Sequence, residues 1–198
     1  MLCANRFILP GSPSTCTLDT AIVPLPTFFL LVALAVNLIL SRRKETGTRV
    51  KSVRWLTIIY LVLVGAQIAM TILELVRLAL ESLGVGLLPV NTIGLLCVFG
   101  ILWRERTNGR TRTTLSIFAV YWFFMTIFEA IKSARLHTLE VLNPTTTKTS
   151  QYPSSDWFLD NAVMLALYFV FFCTECVTLV LSRRQRAAGG VYKMGSNV

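Results

Sequence analysis

The basic residues of this chain are concentrated in three short stretches that alternate with long apolar segments. Fourteen of the 19 lysines and arginines lie in residues 41–54, 104–112 and 182–198, and only Glu45 and Glu105 oppose them there. In the whole chain, 54% of residues are hydrophobic and 15% are charged, whereas soluble domains carry about 25% charged residues. The pattern therefore predicts an integral membrane protein.

Five apolar segments are long enough to cross a bilayer. A hydrocarbon core of about 30 Å needs roughly 20 residues of helix, which rises about 1.5 Å per residue. Backbone groups cannot stay unpaired in lipid, and barrel strands would be shorter and alternating, so these segments should be helical. We predict an all-α bundle of five transmembrane helices, over residues 18–40, 56–80, 85–103, 115–132 and 161–181.

The charge bias also predicts the orientation of the chain. Loops rich in Lys and Arg stay on the cytosolic side of a membrane, and five spans place all three basic stretches on one side. The amino terminus is then outside and the carboxyl terminus cytosolic. The chain divides into an outer cap (residues 1–17), a five-helix domain (18–182) and a basic cytosolic tail (183–198).

A net charge of +9 raises the question of nucleic-acid binding. The basic residues flank apolar spans and are not interleaved with aromatic residues. Attraction to acidic headgroups explains them better than contacts to a phosphate backbone. We expect a bilayer with an anionic cytosolic leaflet as a partner, and no nucleic acid.

The five cysteines fall into two groups. Cys3 and Cys16 lie in the outer cap, which is oxidising on the secretory route; we expect a disulfide between them, with two free thiols as the alternative. Cys173 and Cys176 form a C-x-x-C motif inside the last span. Because the chain has one histidine, on the opposite side of the membrane, that motif predicts helix packing and neither a metal site nor a redox centre. No cofactor is expected.

Charged residues inside the spans are the candidate site residues. Glu74 and Arg77 are three residues apart near the outer end of the second span, and Glu129 and Lys132 repeat this spacing in the fourth. Residues at i and i+3 share a helix face, so each acid can be neutralised locally. The pairs form either a polar vestibule that contacts a substrate or partner helix, or, as we expect, cations that extend to the headgroups. Glu175 has no basic residue within one turn and is either paired across helices or neutral.

Motifs for catalysis are missing from the sequence. It contains no G-x-x-x-x-G-K-[ST] loop, no H-E-x-x-H and no G-x-S-x-G, which are typical of nucleotide, zinc and serine chemistry. Five spans also leave no inverted repeat of the kind that builds many secondary transporters. We therefore predict no ATPase activity and no catalytic residue.

Several short motifs are spread along most of the chain. They are Cys16, Thr20 and Pro26 at the first span, Trp103 to Arg106 after the third, Tyr121 to Phe124 in the fourth and Leu167 to Ser182 in the fifth. Over about residues 14–186 the chain resembles the five-helix amino-terminal domain of multidrug-resistance-associated, subfamily C ABC transporters, the fungal members above all. The resemblance implies the same outside-in topology and an amino-terminal disulfide.

Transporters of that family also contain two six-helix domains and two nucleotide-binding domains, which these 198 residues do not include. The resemblance therefore implies only the role of the amino-terminal domain: folding, trafficking and docking of partner membrane proteins. Our leading hypothesis is a non-catalytic protein of the plasma membrane or of vacuolar or other endomembranes. It would bind a transporter core or a second copy of itself, in support of metabolite or drug transport.

Two other functions stay open at this point. If Glu74, Glu129 and Glu175 converged on one apolar pocket, they would permit acid catalysis on a lipophilic substrate, as in compact membrane terpene cyclases. The other alternative is an oligomeric channel or carrier. The positions of the three acids test the first of these alternatives.

Overall fold

The computed structural model describes residues 24–41, 49–50, 54–80, 88–142 and 154–194. Within these ranges the chain forms five helices and two short strands. The helices are α1 (Leu25–Ser41), α2 (Arg54–Leu80), α3 (Leu88–Asn108), α4 (Arg112–Leu142) and α5 (Ser154–Met194), and the strands are β1 (Arg49–Val50) and β2 (Arg110–Thr111). The predicted all-α bundle is confirmed.

Four helices contain a segment that is long and apolar enough to span a membrane. These segments are Trp55–Arg77, Leu88–Thr107, Arg112–Ala134 and Phe158–Arg183. The apolar part of α1, Leu25–Ile39, is shorter. The first span was predicted to start at residue 18, but residues 18–23 lie outside the described residues. Cys3 and Cys16 lie outside them too, so their disulfide stays a prediction.

Helices α4 and α5 are longer than the spans predicted for them. The fourth span was predicted to end at Lys132, whereas α4 continues to Leu142. Hydropathy marks where a helix leaves the hydrocarbon, not where its backbone hydrogen bonds end. The first strong helix breaker after Lys132 is the Asn143-Pro144 pair, and a residue before proline is disfavoured in the helical region.

The helices form a ring around a shared core. Helix α1 packs against α3 and α4, α2 packs against α3 and α5, and α4 packs along α5. Trp122 is fully buried near the centre, where its ring contacts the rings of Tyr168 and Phe171 on α5. Lipid tails are as apolar as leucine, so helix association in a membrane depends on such close packing and on polar contacts.

The two strands bring the loops together at one end of the bundle, here called the loop end. Strand β1 lies between α1 and α2, β2 lies between α3 and α4, and they pair antiparallel, with Val50 opposite Arg110. Arg112 also donates a hydrogen bond to the backbone oxygen of Ser182 on α5 (2.6 Å). Parts of all three basic stretches therefore meet at one end, as five alternating spans require.

Helix α1 packs tightly against α3 at Gly94. Thr27 of α1 is fully buried and donates a hydrogen bond to Asn91 Oδ1 (3.1 Å). A Cβ atom at Gly94 would lie 2.8 Å from both Oγ1 and Cγ2 of Thr27, which is closer than such atoms pack. Only glycine permits this approach without a shift of one helix.

We predict that Gly94→Ala lowers the thermal unfolding midpoint of the protein in lipid nanodiscs. Overpacking of a filled contact costs about 1–3 kcal/mol, because α1 must move away from α3. Gly100→Ala is the matched control, since a Cβ there meets no atom within 4 Å. Equal midpoints for the two variants would show that α1 is not held by this contact.

Candidate functional site

A buried polar network lies at the loop end. The carboxylate of Glu175, which is fully buried, accepts hydrogen bonds at Oε1 from Arg110 Nη2 (2.8 Å) and from the Tyr60 hydroxyl (2.7 Å). The Tyr60 hydroxyl in turn accepts one from Trp122 Nε1 (2.8 Å). Together with Glu105 these residues form what we call the loop-end network, which joins α2, α3, α4 and α5.

Arg110 enters the network because the chain reverses at the end of α3. Gly109 has a φ of 75° and its amide donates to the backbone oxygen of Glu105 (2.9 Å), a left-handed helix cap that favours glycine. The turn directs Arg110 into the bundle, where its guanidinium lies 5.3 Å from the centre of the Phe118 ring. Cation–π contacts of this kind stabilise a desolvated cation.

The positive charge of Arg110 is stabilised by the side chains around it. Burial by itself lowers the pKa of the guanidinium, but the carboxylates of Glu175 and Glu105 and the hydroxyl of Tyr60 raise the pKa above its ordinary value. Arg110 Nε also lies 3.4 Å from Glu105 Oε2. Arg110 is therefore a permanent cation, and Glu175 is paired across helices, one of the two possibilities that its sequence left open.

A second group of charges lies toward the other end of the bundle. Lys132 Nζ is 2.8 Å from Glu74 Oε1 and 2.9 Å from Glu129 Oε1, and Arg77 pairs with Asp160 of α5. We call these five residues the vestibule cluster. Glu129 and Lys132 form the local pair that their spacing predicted, and Glu74 and Arg77 each contact a charge on another helix.

Lys132 does not point away from the bundle, as we expected of a side chain that extends to the headgroups. Its side chain is 15% exposed, and its ammonium group lies between two carboxylates. The expectation weighed the cost of an ion in hydrocarbon against the reach of a long side chain, but it took no account of Glu74 on α2. The geometry fits the other interpretation, a polar vestibule.

The vestibule cluster borders a small cavity between α2, α3, α4 and α5. Its volume is about 30 Å³, enough for about two water molecules but not for an isoprenoid. Along α5, Glu175 is 15 residues from Asp160, or about 22 Å of helix. Glu74 and Glu129 therefore share one site while Glu175 belongs to the other, and the three acids do not converge on one pocket.

The sequence of the chain also matches a known protein family. A family model described as the ABC transporter TMD0 domain matches residues 8–152. The chain belongs to the ABC transporter TMD0 domain family. Neither curated proteins nor solved structures gave a match. The resemblance to the amino-terminal domain of ABC transporters is confirmed over residues 8–152, which include α1 to α4 and end before α5.

The positions of Arg110 and Tyr60 in the loop-end network of this TMD0 domain could not be predicted from sequence spacing. Arg110 was assigned to headgroup contacts with the rest of its basic stretch, yet it is 7% exposed and bonded to Glu175. The available signals were Gly109, which marks a helix end, and the absence of a local partner for Glu175. Tyr60 gave no signal, because a tyrosine near a helix start is equally typical of the membrane interface.

No metal centre is formed by the described part of this TMD0 domain. Among residues 24–41, 49–50, 54–80, 88–142 and 154–194, no three or more His, Cys, Asp or Glu side chains lie where they could hold an ion. Cys97, Cys173 and Cys176 are free and half-buried. Their positions suit the helix packing that was predicted for the C-x-x-C motif.

We predict that Arg110→Gln destabilises the bundle far more than Arg106→Gln does. Removal of one partner from a buried ion pair costs about 3–5 kcal/mol because the other charge is left unpaired, whereas Arg106 is exposed. Thermal unfolding in nanodiscs provides the measurement. The double variant Arg110→Gln/Glu175→Gln should recover part of the loss, and strictly additive effects would contradict the pairing.

Proposed function

We propose that this chain is a non-catalytic, multi-pass membrane module that docks onto another membrane protein and supports its folding, trafficking or transport of metabolites or drugs. The observation that carries the proposal is the family match over residues 8–152. A TMD0 domain is one part of an ABC transporter, and transport by such proteins requires ATP. These 198 residues contain no G-x-x-x-x-G-K-[ST] loop, and we propose that they contribute to transport by docking onto the transporter core.

The packed interior supports a function that is carried out at the outer surface of the bundle. The centre of the bundle is occupied by packed rings, including those of Tyr121, Trp122 and Phe171, all fully buried. The charged groups of the loop-end network pair with one another, as do those of the vestibule cluster, and neither group lines an open path. The enzyme alternative has less support than docking, because Glu175 is separated from Glu74 and Glu129 and the cavity beside the latter two is about 30 Å³.

We further propose that the loop end faces the cytosol. Trp55 and Trp103 are largely exposed there, as is typical of aromatic residues at headgroup level. The guanidinium of Arg106 lies 5.8 Å from the Trp103 ring, which leaves its charge available to anionic headgroups. The three basic stretches meet at this end, and such clusters prefer the cytosolic leaflet. The membrane would be the plasma membrane or a vacuolar or other endomembrane.

We predict that the chain, captured from native membranes in a mild detergent, retains a transporter with nucleotide-binding domains in a 1:1 ratio, because a docking module is expected to hold its partner. Quantitative mass spectrometry of cross-linked complexes measures the ratio. A 1:1 complex that is lost in Arg110→Gln but kept in Arg106→Gln would connect docking to the folded bundle. A monodisperse chain without a partner would refute docking, and a homo-oligomer that conducts ions would favour the channel alternative.

We predict that a tag placed after Val198 is digested by protease added to the cytosolic side of sealed membranes, whereas a tag before Met1 is protected. The bias of basic residues toward one end gives this orientation. Immunoblots before and after detergent permeabilisation provide the measurement. Protection of the carboxyl-terminal tag would reverse the proposed topology.

A further inference from the structure

The cavity beside the vestibule cluster is lined by polar groups from every helix that surrounds it. Thr71 and Glu74 come from α2, Asn91 from α3, Lys132 from α4 and Tyr168 from α5. An apolar cavity of this size stays empty, whereas a polar one binds water when two to four hydrogen-bonding partners converge on it. The lining provides both donors and acceptors.

A neighbouring amide adds to the demand for hydrogen bonds. Gln67 is fully buried, and neither its Nε2 nor its Oε1 has a hydrogen-bond partner of normal geometry in the described residues. It lies one helical turn from Thr71 on the same face of α2, and its polar neighbour is the hydroxyl of Tyr168. An amide that is buried without hydrogen bonds costs about 1–3 kcal/mol in proteins.

We propose that the cavity is a binding site for two ordered water molecules. The volume of about 30 Å³ fits two waters, since each needs roughly 10–15 Å³ by this measure. The waters bridge the ammonium of Lys132 and the carboxylates of Glu74 and Glu129 to the hydroxyls of Thr71 and Tyr168. Water-mediated bonds of this kind are nearly as favourable as direct ones, and they solvate charges that lipid cannot.

The waters exchange with one side of the membrane. A second cavity of about 10 Å³ shares Glu74 and Met164 with the first and extends to Arg77 and Asp160, whose side chains are partly exposed. In the other direction, the stacked rings of Trp122 and Tyr168 close the interior. The site is therefore a hydrated vestibule that opens away from the loop end, and its existence does not depend on the docking role.

Radiolytic hydroxyl-radical footprinting of the full chain in lipid nanodiscs tests the proposal, because radicals formed from bound water oxidise the side chains beside it. Tyr168 and Tyr60 are a matched pair, 1% and 6% exposed, and only Tyr168 lines the cavity. We expect Tyr168 to be oxidised several-fold faster than Tyr60. Equal rates for the two tyrosines in the unmodified chain would overturn the proposal.

A pair of variants tests whether the water beside Tyr168 lies in this cavity. Thr71→Leu fills the cavity with an apolar side chain and should reduce oxidation of Tyr168 several-fold. Thr178→Leu is the control, since Thr71 and Thr178 each donate to a carbonyl of their own helix (both 2.8 Å) and Thr178 does not line the cavity. A rate at Tyr168 that is unchanged in a folded Thr71→Leu protein would also refute the site.

Discussion

The pairing of Glu175 with Arg110 determines how the loop end of the bundle is built. A carboxylate that is fully buried in a membrane protein must be neutralised, and its own helix offers no cation within a turn. The cation comes instead from the turn after α3, with a nitrogen–oxygen distance of 2.8 Å. Since removal of either partner leaves an uncompensated buried charge, α3, α4 and α5 can reach their packed positions only together.

The same pairing orders the loops around it. Gly109 reverses the chain so that Arg110 points into the bundle, and β2, which contains Arg110, pairs with β1 of the first loop. Arg112 then bonds the backbone of α5 at Ser182. A two-stranded ribbon of this length has little stability alone, so the ribbon depends on the buried ion pair and on the helix ends that it connects.

The helices could be predicted from the sequence because hydropathy is a local property, while the site could be predicted only in part. Glu129 and Lys132 were paired correctly, since residues at i and i+3 share a helix face. Lys132 and Arg110, which pair with Glu74 and Glu175, lie on other elements, and one sequence carries no information on which helices are neighbours. The glycines show the same limit, because the sequence does not tell which of them lies at a close helix contact. A Cβ at Gly94 would be 2.8 Å from Thr27, whereas a Cβ at Gly65 would be 3.9 Å from Phe99.

Helix α5 lies beyond the family match, which ends at residue 152, yet it is held along its length by polar contacts. Asp160 pairs with Arg77, Glu175 with Arg110, and the backbone of Ser182 with Arg112. The intervals of 15 and 7 residues correspond to about 22 and 10 Å of helix, so the contacts extend over about the thickness of a hydrocarbon core.

Because one contact lies at the vestibule cluster and two at the loop end, a sliding or rotation of α5 would break ion pairs at both ends. The part of α5 from Asp160 to Ser182 is therefore a fixed part of the bundle.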